Sequence, residues 1–135
     1  MRLIGDDLWA IMTIWGEARG EPQAGRVAVA EVIRNRTTQR YSSEGTAVST
    51  CLWPVQFSCW NAVDKNRLSM GALDDQDPLV AQCRQAWETA QGGSDTVHGA
   101  VLYVNLYLAQ PKWISACERL MEIGRHTFYR PKVHK

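Results

Sequence analysis

Residues 27–33 read VAVAEVI, and in a helix this run leaves almost no polar face before Glu31 and Arg34. A helix that is apolar on most sides must be packed on most sides, so the rest of the chain has to wrap around it as a central post. Proline is favoured at the first helical position, where its missing N–H costs nothing, so Glu21-Pro22 predicts the start of this helix, which runs to about Arg36. No apolar stretch approaches the roughly 20 residues of a membrane span. The post is therefore expected inside a globular core. A chain of 135 residues is long enough to build such a core as a single compact domain without metal or disulfide support.

Around the post, residues 6–19 predict a first helix capped by Asp6 or Asp7, with Leu8, Ile11, Met12 and Trp15 on one face and Gly16 and Gly20 at its fraying end. Asp77 and Pro78 open a further helix whose stripe is Leu79, Cys83, Ala86, Trp87 and Ala90, and Gly92-Gly93 stop it. The Ser- and Thr-rich span 37–50 reads as a loop, and CLWPVQFSCW as irregular or short extended structure around Pro54. TVHGAVLYVN favours an extended segment, Ile114–Ile123 a short helix, and RHTFYRP a terminal extended piece. The fold class expected is mainly α with minor short strands.

A net charge of +1 with 21% charged residues excludes a strongly basic nucleic-acid binder. Asp6, Asp7 and Glu17 interrupt the approach to a secretory signal, so a soluble chain made in the cytoplasm, without stable membrane insertion, is expected. Cys51, Cys59, Cys83 and Cys117 lack the paired spacing of a zinc site, and His98, His126 and His134 do not complete one. Buried free thiols are the expectation, with no cofactor and no metal. A Cys51–Cys59 disulfide stays open for an oxidising compartment.

Two glutamates precede the post, each beside a glycine, in IWGEARGEPQ. Glu17, in the last turn of the first helix, sits at the negative end of the helix dipole, which disfavours its ionised form. Desolvated by Trp15 and the second helix, it can keep its proton and act as a general acid. Glu21 meets the opposite field and is expected as an ionised cap of the second helix. The plainer alternative makes both of them solvated loop carboxylates paired with Arg19 or Arg26.

Four ordered stretches break that tie. IWGEARGEPQAGRVAVAEVIRNR, QFSCW at residues 56–60, HGAVLYVN with PKW, and IGRHTFYRP resemble, in order and over about residues 8–130, the motifs of the SleB/CwlJ family of cell-wall hydrolases, the spore-cortex-lytic enzymes and their bacteriophage relatives. The resemblance implies a lysozyme-like, lytic-transglycosylase-like domain that cleaves peptidoglycan glycan strands between N-acetylmuramic acid and N-acetylglucosamine. It makes Glu17 the catalytic acid and leaves 1,6-anhydromuramyl ends as the product. Gln56, Ser58, Tyr103 and Asn105, within the matched motifs, offer hydroxyl and amide groups for sugar hydroxyls and acetamides. Phe57 and Trp60 offer flat faces for pyranose rings, with core packing as the alternative for both. Trp9, Trp15 and Trp87 fit core stripes, and His126 is at least as readily structural as catalytic.

Hydrolysis by a muramidase would need a second carboxylate roughly 5–9.5 Å from the first. No motif supplies one. Asp64, Asp74, Asp75 and Asp77 read as solvated or capping, and Glu31 as the partner of Arg34 or Arg19. A muramidase and a non-catalytic peptidoglycan-binding module are the remaining alternatives; a peptidase lacks a metal or nucleophile site. The chain looks most like a phage endolysin, a monomer that waits in the host cytoplasm until a holin opens the membrane and then acts in the periplasm or wall. Arg125, Arg130, Lys132 and Lys135 form a basic end that is either a wall contact or a solvated tail.

Overall fold

The computed structural model describes residues 5–53, 57–60 and 76–132, with the side chains of residues 5, 6 and 58 left aside. Helix α1 (Gly5–Ala18) leads into α2 (Gln23–Gln39), the short α3 (Ala47–Cys51), a 3-10 turn at Ser58–Trp60 and α4 (Pro78–Gln91). Strand β1 (Leu102–Val104), a 3-10 turn at Lys112–Ala116, β2 (Cys117–Ile123) and β3 (His126–Pro131) complete the described chain. The three strands form one antiparallel sheet in the order β1-β3-β2. The class is the expected one, mainly helical with a small sheet.

Helix α2 is the central post. Ala28, Val29, Ala30, Val32 and Ile33 are all fully buried. They divide between two cores, which is why no polar face remains. Val29, Ala30 and Ile33 join Ala10, Ile11 and Ile14 of α1 and Val80, Cys83 and Ala86 of α4. Ala28 and Val32 turn instead toward Val97, Ala100 and Phe128 on the sheet side. Each fully buried Val or Ile contributes about 1.5–3 kcal/mol of transfer free energy, so one helix anchors both layers.

Several polar side chains of α2 are held as well. Glu31, fully buried, accepts from Ser94 Oγ at 2.6 Å, Thr96 Oγ1 at 2.9 Å and the Val97 N–H at 3.0 Å. Its partners are therefore hydroxyls and a backbone amide, where an arginine was expected; a buried carboxylate is tolerable when its lone pairs are filled this way. Arg34 donates to the carbonyls of Ala90 and Ser94 and lies 3.9 Å from Asp95. Asn35 Nδ2 and Arg36 Nε donate to the carbonyls of Ala100 and Val101 at 2.9 and 2.6 Å. These bonds tie the approach to β1 onto the second helix.

Several local expectations are corrected. Pro22 stands one position outside α2 as its N-cap, its carbonyl accepting from the Gly25 and Arg26 amides. The helix runs on to Gln39, and Arg40 closes it in the left-handed conformation at φ 54°. Ser and Thr in the following segment make a helix start in place of a loop: Thr46 and Ser49 form a capping box for α3. Asp7 lies within α1 and accepts from Trp87 Nε1 at 2.8 Å, joining α1 to α4 instead of capping. Asp77 does cap α4, accepting from the Leu79 and Val80 amides, and Val80 takes the buried place foreseen for Leu79.

The short helix expected over residues 114–123 is mostly strand. Helical spacing there yields to pairing with β3, which the two-residue turn Gly124-Arg125 brings alongside, with Ile123 opposite His126. Gly124 has φ +59°, a conformation that side chains with a Cβ resist. Cys51, Cys59, Cys83 and Cys117 are thiols, so the Cys51–Cys59 disulfide is not formed. Burial pushes the Cys83 thiol up to about 12, which leaves it an inert core residue.

Candidate active site

Glu17 ends α1 half-buried, facing a cleft of about 640 Å³ between that helix end and the sheet. Both of its carboxyl oxygens are held. The Tyr103 hydroxyl donates to Oε1 at 2.6 Å, and the Cys59 N–H donates to Oε2 at 3.1 Å. Tyr103 comes from β1, whose pairing opposite Phe128 fixes its position, and Cys59 from the 3-10 turn. Burial, reinforced by the neighbouring Glu17, holds the Tyr103 phenol well above its usual range, so it stays a neutral donor.

Glu21 lines the same cleft but serves another purpose than the cap expected of it. No side chain caps α2. Glu21 is 7% exposed, accepts from the Arg125 N–H at 3.2 Å and lies 3.7 Å from Arg125 Nε. A long-range contact has replaced the local one. It clamps the turn between β2 and β3 onto the junction of α1 and α2.

His126 completes this wall. Its ring packs on Tyr103, centroids 4.8 Å apart, and its Nδ1 lies 3.5 Å from Glu21 Oε1 without forming a hydrogen bond. Burial lowers its pKa below the usual histidine value, with Arg125 acting the same way and Glu21 and Glu17 opposing. The imidazole is therefore mostly neutral at neutral pH.

Beneath the pair lies Arg36, 3% exposed, its guanidinium 4.7 Å from the centre of the Phe57 ring. Burial lowers its pKa while Tyr103, Tyr41 and Glu17 raise it, and an arginine keeps its charge through such shifts. The site thus carries a fixed positive charge within electrostatic reach of the Glu17 carboxyl group.

Of the residues named from sequence, Glu17, Tyr103 and Asn105 meet at the cleft. Phe57 does not. It is 2% exposed in the helical core and serves as a floor for Arg36, leaving no face for a pyranose. Trp60, only partly buried, packs on Trp9 at 5.2 Å, donates from Nε1 to Thr13 at 2.7 Å and does not line this cleft. Gln56, Asp64, Asp74 and Asp75 lie outside the described residues, as does the side chain of Ser58. Arg36, Trp113 and Arg125 line the cleft without having been singled out for it. Each lay in a quoted motif, in RNR, PKW and IGRH, which was the available signal. No group of three or more histidine, cysteine or acidic residues able to hold a metal occurs among the described residues.

A family model described as Cell Wall Hydrolase matches residues 20–129, beginning just after Glu17. The spore cortex-lytic enzyme of Bacillus cereus is 31% identical over 115 residues, covering 85% of this chain and 40% of that protein. That of Halalkalibacterium halodurans is 33% identical over 115 residues, covering 85% and 32%. The chain thus spans well under half the length of these relatives. Among solved structures, the catalytic domain of the germination-specific lytic transglycosylase SleB from Bacillus anthracis superposes with a TM-score of 0.74 at 30% identity, covering 93% of each chain. The Bacillus cereus SleB catalytic domain does so with a TM-score of 0.74 at 29% identity, over 93% of this chain and 90% of that one. Motif order, fold and coverage converge, and the chain belongs to the cell wall hydrolase family of the SleB type.

Proposed function

We propose that this protein is a lytic transglycosylase that cuts peptidoglycan glycan strands between N-acetylmuramic acid and N-acetylglucosamine, with Glu17 as its acid and then its base. The observation that carries this reading is the division of labour between the two cleft carboxylates. Glu17 is aimed into the cleft between the Tyr103 hydroxyl and the Cys59 amide, while Glu21 is taken up by the Arg125 turn and His126.

The chemistry balances with one carboxyl group. Protonated Glu17 gives its proton to the glycosidic oxygen as the bond from that oxygen to muramic C1 breaks. The resulting Glu17 carboxylate takes the proton of the muramic C6 hydroxyl as O6 closes on C1. The product is a 1,6-anhydromuramyl end, no water is consumed, and Glu17 regains its proton. A hydroxyl both donates and accepts, so Tyr103 can donate to the carboxylate and accept from the carboxylic acid, following Glu17 through both states. Asn105, which lines the cleft, is the group we assign to sugar hydroxyl or acetamide groups.

Mass spectrometry of peptidoglycan digested by the purified protein is expected to show anhydromuramyl ends that disappear with Glu17→Gln. Hydrated reducing ends would instead mean a muramidase, for which Glu21, in the same cleft, becomes the candidate second carboxylate. Wall binding without cleavage would make the chain a binding module. The setting we propose from the sequence is a phage endolysin, made in the host cytoplasm and admitted to the wall by a holin. Lysis of cells expressing the protein only when a holin is co-expressed is the result expected.

A further inference from the structure

Arg125, Arg130 and Lys132 belong to one basic stretch of sequence, and the fold takes them apart. Arg130 Nε donates to Glu118 at 3.0 Å and Lys132 Nζ to the Ser115 carbonyl at 3.0 Å, and neither lines the cleft. Arg125 does line it. Its side chain is 63% exposed, and its one hydrogen bond among the described residues is long, from Nη2 to the Gly20 carbonyl at 3.4 Å. A guanidinium carries several N–H donors in a planar fork, so most of this capacity is left to solvent. Arg36, which also lines the cleft, is buried and donates to the Val101 carbonyl, so the exposed cation of this site is Arg125.

The residue is firmly mounted. Its N–H donates to the buried Glu21 at 3.2 Å, and Glu21 Oε2 lies 3.7 Å from Nε, which anchors the backbone and the inner nitrogen and leaves the outer nitrogens for a ligand. The same cleft has an apolar lip. Leu108, 83% exposed, and Ala109, also exposed, line it together with Pro111. Their loop is bonded into shape by Asn105, whose carbonyl accepts from the Leu108 and Ala109 amides at 3.0 and 3.1 Å and whose Oδ1 accepts from the Tyr107 N–H at 3.0 Å. A ligand suited to this rim carries a carboxylate for the guanidinium and small apolar groups for the lip.

We infer that the rim reads the short acidic peptide carried on the lactyl group of muramic acid, Arg125 bonding a peptide carboxylate while Leu108 covers alanine methyl groups. The inference rests on the glycan-cleaving reading and names the part of the substrate that this cleft selects. The peptide branches from the sugar whose C1 is attacked, so it leaves the strand in the cleft that Glu17 and Arg125 share. Its first residues, alanine and glutamate, set a methyl group beside a carboxylate. A phosphate-rich wall polymer is the competing occupant, and the rim suits it less: it offers repeated charge with little apolar surface, and nothing ties it to the sugar that meets Glu17.

The test measures binding to the whole 135-residue protein carrying Glu17→Gln, in which no turnover interferes. The probes are a glycan tetrasaccharide bearing alanyl-glutamate with free carboxylates, the same with those carboxylates amidated, and the bare tetrasaccharide. The free acid is expected to bind about fivefold tighter than the amide, as for an exposed ion pair; Arg125→Gln should bring that ratio to about one, and Arg125→Lys, which keeps the charge, should retain part of it. Leu108→Ser should cut the advantage of both peptide forms over the bare strand about threefold. Each variant is checked for a native melting transition, and Arg125→Met, which keeps the stem and the backbone N–H, repeats the test should Arg125→Gln fail to fold. A ratio of one in the parent, its survival in a folded Arg125 variant without the charge, or a peptide advantage untouched by Leu108→Ser overturns the inference and leaves glycan cleavage standing. Binding of poly(glycerol phosphate) that Arg125→Gln abolishes, with no preference between the peptide forms, assigns the rim to a wall polymer and overturns it too. If none of the tetrasaccharides binds and the wild-type protein releases no anhydro ends, the glycan reading itself goes, and this inference with it.

Discussion

A carboxyl group that must first give a proton and then take one needs a neighbour able to follow both states. In the mechanism proposed for Glu17, the Tyr103 hydroxyl, 2.6 Å away, is that neighbour. Tyr103→Phe keeps the ring that packs on His126 and Phe128 and removes only this bond. Turnover is expected to fall about 10- to 100-fold, as for the loss of a hydrogen bond to a charged group, with little change in KM and a native melting curve. His126 gives a second expectation at this scale. Its folded pKa lies below the unfolded value, so the unfolded chain binds more protons, and stability is full above about pH 6.5 and lost as pH falls through the window beneath it. Denaturant titrations from pH 7 downward should show this decline, and His126→Gln should flatten it.

Among the elements, the hairpin of β2 and β3 decides the shape of the cleft, because its turn carries Arg125 and His126 and is pinned by Glu21. Gly124 makes the turn possible. Its φ of +59° disfavours any other residue, and an added Cβ would come within 3.0 Å of Glu21 Oε2. Gly124→Ala is therefore expected to lower stability by about 1–2 kcal/mol and to reduce activity at temperatures below unfolding, measurable by melting and by digestion rates. This element is also where reading the sequence falls short. Residues 114–123 place apolar groups at spacings that suit a helix, and only partners far along the chain turn them into a strand. The same cause separates Glu21 from its expected role: its local position suggests a cap, and its partner lies 104 residues away. Where the signal was local, as in the Asp77-Pro78 start of α4 or the apolar run of α2, the reading and the fold agree.

For the molecule as a whole, α2 joins the helical core to the sheet-side core, and its loss would be felt in both. Ile33→Ala should cost about 2–5 kcal/mol and lower the melting temperature without changing the identity of the glycan products, as a cavity in the helical core predicts. The candidate site divides in the same way between local and distant information. Glu17 was legible from its motif and helix end, and Tyr103 and Asn105 from theirs. Phe57 was not, since an aromatic in a motif reads the same whether it faces a sugar or the core. Arg36 went unread because nothing local shows that the last turns of α2 lie beside Glu17 and Tyr103.

That pair joins residues 86 positions apart, and β1, which carries Tyr103, has β3 as its strand partner. On the ribosome, the helices emerge first and Glu17 waits without its hydroxyl donor. The sheet cannot close until the last strand has left the exit tunnel. A chain in which β3 has not yet paired cannot assemble the Glu17–Tyr103 contact, and on the function proposed above it is silent toward glycan until it does.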